Sequence, residues 1–412
     1  MYESLKSIKE MYEAQKFHEI KVHLALLRRD SYYEHLDGFK EIQNNDIFYQ
    51  IVKNPPDLET LKIVFDILIN LSSYDNDNIK YFIDLVKNNI FNELFELIIK
   101  NNDIEIDEKI YMLLGNASKT NSEMRNLIIN SFPFKIVIEK KILGKDLFLF
   151  LCDIIDLDIN ESILQPCITE IFKRIKDENI NMKYFFYFIS CYHRCIRDPY
   201  NFFSNFGFYD YIINLLPKLD NNKIIEYFTF ILYTVCTNIY SILIPNINHI
   251  INLLQNKNQK IIINCICILY SLISNKKLNF IDDNFFFSLI IKSLILMKES
   301  TIIIKEKYAN LIMLLLNITN TDNIQILLDK YYLENFFIDT FNIENPALRM
   351  NILNTIHDIQ LKEDSRYDGY NIIDKFILET NAIINELLQN SSNQKLVEVL
   401  QMFLTFSELR KR

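Results

Sequence analysis

Glycine is scarce in this chain, with 5 residues in 412; proline is little commoner at 8, and tryptophan is missing altogether. So few glycines leave no phosphate-cradling loop: Gly115-Asn116-Ala117-Ser118-Lys119-Thr120 ends like one but has Leu113 and Ser118 where glycines belong. The prolines (Pro55, Pro56, Pro133, Pro166, Pro199, Pro217, Pro245 and Pro346) are scattered, so they punctuate helices rather than build a linker. The 7 cysteines are an odd number in a long chain whose start, Met-Tyr-Glu-Ser-Leu-Lys, is not a secretory leader. A disulfide framework is therefore not expected, and a reducing compartment is. Positive charge is also short, with 44 Lys and Arg against 53 Asp and Glu. A net charge of −9 spread along the chain argues against nucleic acid as the main partner, because phosphate binding needs a basic patch.

One segment invites a membrane reading, since no charged residue occurs between Glu226 and Lys257. Asn238, Pro245, Asn246, Asn248 and His249 interrupt it, so two ordinary buried helices, and no membrane span, are the expectation.

What is abundant is apolar residue, 50% of the chain, arranged with helical period. Counting back from Asn70, Asn116 and Asn317 gives the stripes Val64, Ile67, Leu68, Leu71; Ile110, Leu113, Leu114, Ala117; and Leu311, Leu314, Leu315, Ile318. The same template fits Leu147, Phe150, Leu151, Ile154; Tyr184, Tyr187, Phe188, Cys191; Phe228, Ile231, Leu232, Val235; and Cys265, Ile268, Leu269, Leu272. It fits Ile352, Thr355, Ile356, Ile359 less well. The step is about 41 residues, within the period of armadillo and HEAT units, each of which buries its face only against its neighbours. The sequence therefore predicts an all-α, right-handed superhelical solenoid of armadillo type, running through residues 39–412 behind an N-terminal helical segment, 1–38.

Catalytic chemistry is not expected. Cys191, His193 and Cys195 lie close in sequence but lack a second ligand cluster, and a structural role suits them better. The six histidines make no nucleophile arrangement, and nothing calls for a metal or a cofactor.

The repeat strings resemble the importin-α family of nuclear-import adaptors. Met112-Leu-Leu-Gly-Asn116-Ala followed by Glu123-Met-Arg-Asn-Leu is similar to the family's third repeat, Trp-Ala-Leu-Gly-Asn-Ile-Ala and a new helix. Tyr370-Asn-Ile-Ile, Glu379 and Ile384-Asn-Glu-Leu-Leu-Gln389 resemble its last repeat, and Ile20-Lys-Val-His-Leu-Ala-Leu-Leu-Arg28-Arg29-Asp30 resembles the end of its importin-β-binding helix. The resemblance implies a protein-binding adaptor. A concave groove would take cargo carrying a basic nuclear-localization peptide, Arg28 and Arg29 would engage importin-β, and an export receptor would recycle the protein between cytoplasm and nucleus. In the family, groove Asn side chains hold the peptide backbone and Trp residues one turn earlier clamp lysine stems. Asn70, Asn116 and Asn317 match the Asn positions; the Trp positions read Asp66, Met112 and Met313. Asp66 and Asp153 are the acids at groove positions expected to draw a basic peptide, whereas Lys119 stands where the family has an acid. Residues 1–40 hold seven basic and seven acidic side chains, where the family's segment is strongly basic. The alternative reading is an armadillo scaffold that binds a non-import protein through a repurposed groove.

Overall fold

The computed structural model describes residues 2–32, 46–72, 90–100, 103–120, 122–140, 143–155, 168–172, 181–196, 198–277, 282–363 and 372–410. Every regular element among them is helical, and none is a strand. No helix among them is long and apolar enough to cross a membrane. The uncharged stretch after Glu226 breaks as its Asn and Pro residues predict, into Asn222–Val235, Tyr240–Leu243, a 3₁₀ turn at Ile244–Asn246 and Ile247–Leu253.

The chain gathers into two compact units, Met1–Pro199 and Tyr200–Arg412. In the first, one helix of each layer packs on the next to form a ladder: Phe17–Tyr32, Leu58–Ser72, Ile104–Thr120, Lys145–Ile154 and Met182–Cys195. The second unit repeats the plan with Asn222–Val235, Gln259–Ser274, Ile302–Ile318, Pro346–Glu363 and Gln394–Arg410. Shorter helices such as Ile47–Lys53, Ile90–Lys100 and Leu333–Phe341 back these ladders. The N-terminal helices join the first unit, because Leu5, Ile8, Ile20, Leu24 and Leu27 are all buried. The sequence gives residues 1–38 a segment of their own, yet this apolar stripe makes Phe17–Tyr32 the first rung.

Asparagine richness sets many boundaries. Asn221 accepts from the backbone of Lys223 and Ile224, Asn258 from Lys260, and Asn320 from Asn323, each closing orphan donors at a helix start. The chain has no Trp, and among the described residues many Phe and some Tyr fill the gaps between layers. In unit 1, Phe132 meets Phe95, Phe134, Phe150 and Tyr111 at ring separations of 4.7–6.3 Å.

The predicted stripes are buried as expected at Val64–Leu71, Ile110–Ala117, Leu147–Ile154, Phe228–Val235, Cys265–Leu272 and Ile352–Ile359. Two are rotated by one residue. The buried residues on Met182–Cys195 include Phe185, Phe188, Ile189 and Tyr192; on Ile302–Ile318 they include Leu311, Ile312, Met313, Leu315 and Leu316, with Thr319 buried just beyond the helix. In both helices apolar residues cover nearly the whole circumference, so periodicity alone leaves the phase ambiguous by one position.

Candidate functional site

On the ladder face of unit 1, five of the sequence-predicted residues come together. Arg28, Arg29, Asp66, Asn70 and Met112 line one depression of about 510 Å³ with Ala25, Ile69 and Lys109. Its position follows from the layers, since Arg28 ends one rung, Asp66 and Asn70 sit one turn apart on the next, and Lys109 and Met112 lie on the third. The Asp66 carboxylate accepts from Arg28 Nη1 at 3.1 Å and from Lys109 Nζ. Met112 is 44% exposed and offers an apolar surface.

The asparagines in this unit tie rungs together. Asn70 Nδ2 donates to Ser31 Oγ at 3.1 Å, and Asn116 Nδ2 donates to Ser72 Oγ at 3.0 Å. Further along, Lys119 Nζ lies 2.9 Å from Asp153 Oδ2. Burial raises the Asp153 pKa, and the Lys119 ammonium opposes that rise. Gly115 makes the approach possible: a Cβ there would come within 2.8 Å of Asp153 Oδ2. The glycine of the Leu-Gly-Asn string thus earns its place by letting two rungs close.

Asn317 and Met313 belong to unit 2 and take no part in that depression. Met313 is 3% exposed, a packing residue rather than a groove residue, because the one-residue rotation of its helix turns it inward. The same rotation leaves Asn317 exposed beside Ile318, which is 45% exposed, and the Asn317 carbonyl accepts from Lys362 Nζ at 3.0 Å. On Met182–Cys195 it turns His193 into the core, where burial lowers the imidazole pKa to about 4. Among the described residues no cluster of His, Cys, Asp and Glu has the arrangement of a metal site. The C-terminal match begins outside the described residues at Tyr370, while Ile384 is buried in Ile372–Asn390.

Unit 2 carries a second depression on its ladder face, of about 410 Å³, that sequence reasoning missed. Tyr233 and Tyr270 project from successive rungs, 39% and 41% exposed, above Cys267, Lys307, Asn310 and Asn351. Asn351 Nδ2 donates to Asn310 Oδ1 at 3.4 Å, and among the described residues no carboxylate lines the depression. Burial pushes the Cys267 thiol above its ordinary pKa and keeps it protonated at neutral pH. A signal was available, since Tyr233 and Tyr270 each directly precede the residue, Thr234 or Ser271, that stands in its window where Asn70, Asn116 and Asn317 stand in theirs.

No family model matches this chain, and no curated protein matches it. Among solved structures it is similar to the crystal structure of an engineered protein from the Northeast Structural Genomics Consortium, at 12% identity and a TM-score of 0.67 over 99% of both chains. At that identity the likeness speaks for the fold alone, an all-helical stack of repeated layers.

Proposed function

We propose that this protein is a protein-binding adaptor of armadillo type, a right-handed solenoid that holds an extended segment of its partner along its ladder faces. One observation carries the reading: exposed Tyr233 and Tyr270 stand over Asn310 and Asn351 in a depression with no carboxylate among its described residues. Aromatic rings supply contact area at low entropic cost, and amide groups hold a peptide backbone that cannot pair with itself. The nuclear-import reading keeps the support of three sequence matches and of an all-helical fold. In that reading Asn70, Asn116 and Asn317 grip a basic cargo signal, while Arg28 and Arg29 engage importin-β. Against it, Asp66 and Asp153 already hold Arg28, Lys109 and Lys119. A lysine-rich signal would have to displace these internal cations. The observation therefore favours a repurposed groove that takes partners other than basic signals.

The test is a double replacement, Tyr233→Ala with Tyr270→Ala, in a pull-down from native cell extract with bound proteins identified. Loss of specific partners with the fold intact supports the reading. Recovery of importin-β and an export receptor, together with tight binding of a lysine-rich peptide, would establish the import adaptor instead.

A further inference from the structure

The fourth and fifth rungs of unit 1, Lys145–Ile154 and Met182–Cys195, bring two thiols together. These rungs pack through Phe148, whose ring centre lies 5.7 Å from that of Phe185 and 6.1 Å from that of Phe188. Cys152 follows Phe148 by four residues and Cys191 follows Phe188 by three, so each thiol stands one turn beyond that contact on the same side of its helix. The two side chains meet there, and the Cys152 thiol donates to the Cys191 sulfur. Both residues are half-buried, which leaves a small reagent access, and neither is in a disulfide.

We infer that Cys152 and Cys191 are a reversible redox pair, oxidised by hydrogen peroxide to a disulfide that staples the fourth rung to the fifth. The Cys191 thiolate attacks one peroxide oxygen and the O–O bond breaks. Cys191 becomes a sulfenic acid, and the other oxygen leaves as water with the proton that Cys191 gave up. The Cys152 sulfur then attacks the sulfenic sulfur, the S–O bond breaks, and a second water leaves with the Cys152 proton. Two thiols and one peroxide thus give one disulfide and two waters. The surroundings divide the roles. The hydrogen bond from Cys152 lowers the Cys191 pKa, and Tyr187 and the Arg194 guanidinium add to this against the opposing effect of burial. The same bond, together with burial, raises that of Cys152, which keeps its proton until the second step. Sulfurs already in contact need only a small side-chain movement to reach the roughly 2 Å of an S–S bond. In a reducing compartment such a pair rests as the dithiol and closes transiently. The inference is independent of what the ladder faces bind.

The experiment treats the full chain with hydrogen peroxide, blocks the remaining thiols with an alkylating reagent and maps the peptides by mass spectrometry without reduction. The Cys152 peptide should be found joined to the Cys191 peptide, and dithiothreitol should separate them, while circular dichroism stays helical throughout. Cys152→Ser should leave Cys191 as a sulfenic acid that dimedone traps. Cys191→Ser should leave Cys152 a thiol. If either variant does not fold, the map of the unsubstituted chain decides. The staple closes a loop of about 40 residues and restricts the unfolded chain, so the oxidised protein should melt above the reduced one, a shift absent from both variants. A bond from Cys191 to Cys195 or to a second molecule overturns the inference. So does a Cys191 that passes to sulfinic acid while Cys152 stays a thiol, a pair that stays reduced, or a bond that forms only as the helical signal is lost.

Discussion

The two units are built on one plan and differ in what their ladder faces carry. In unit 1 the face is ionic, and charges on one rung are answered by charges on the next, as at Arg28 with Asp66 and Lys119 with Asp153. In unit 2 charge also links rungs, as at Glu226 with Lys260, but the depression on the described face is lined by Tyr233, Tyr270, Asn310 and Asn351 together with Lys307. Only the inward stripe is constrained by packing, because each rung buries it against its neighbours. The outward positions are free to take any chemistry a partner selects. Similarity of plan thus fixes the inward stripe and leaves the chemistry of the ladder face open.

The comparison breaks hardest at the core. In unit 1 Phe150 bridges Tyr111 and Phe132 across two rungs, at ring separations of 6.3 and 4.9 Å. Phe150→Ala should cost about 3–5 kcal/mol, since neighbouring aromatic rings on rigid helices cannot collapse into the space left. Urea unfolding followed by far-UV circular dichroism measures this. A cost below about 1 kcal/mol would show that aromatic contact between rungs is not what holds this unit.

The stripes at Val64, Ile110, Leu147, Phe228 and Cys265 are buried in the phase that the sequence predicts. Tyr184 and Leu311 head windows where apolar residues run almost unbroken, and there the phase slipped by one, burying Met313 and leaving Ile318 exposed. Of the residues expected in a groove, Asp66, Asn70 and Met112 border one depression, together with Arg28, which the sequence assigned to importin-β binding. That Asp66 is occupied by Arg28 and Lys109 depends on contacts across some 40 positions, which no local pattern records. Gly115 was noticed for its place in a string, and its reason, the nearness of Asp153, exists only in three dimensions.

A smaller effect separates the units by pH. His193 is a buried histidine of unit 1, whereas His249 and His357 in unit 2 keep part of their surface in water. Its folded pKa, near 4, is below the unfolded value of 6.5, so the unfolded chain binds more protons between those values. The stability tied to neutral His193 is complete above pH 6.5, falls as pH drops through the window and is lost near pH 4. The full swing is on the order of 3 kcal/mol. Buried Asp107 and part-buried Glu108, whose pKa values are raised, act with the opposite sign, so the clean measurement is a difference. His193→Phe should flatten the wild-type decline of the urea midpoint between pH 6.5 and 4. An unchanged profile would mean that His193 reaches solvent.

The smallest effect sharpens the comparison most, because it sets two residues from the same sequence motif against each other. Asn116 lies in unit 1 on a rung whose phase is as the sequence predicts, and its amide bridges to Ser72 Oγ at 3.0 Å and to the Ile69 carbonyl at 3.5 Å. Replacing it by Ala removes a part-buried bond between rungs and leaves Ser72 without this donor, which should cost about 1 kcal/mol. Asn317 sits on a rotated rung, exposed, and it is its backbone carbonyl that accepts from Lys362, a bond that Asn317→Ala retains. Its replacement should change stability by no more than about 0.5 kcal/mol. Thermal melts of the two single variants therefore separate a strut from a free surface amide. If the two shifts are equal and small while partner binding falls in both, the asparagines act as a matched peptide grip. In that case the import-adaptor reading regains its central support, because only a shared ligand would make residues in such different packing behave alike.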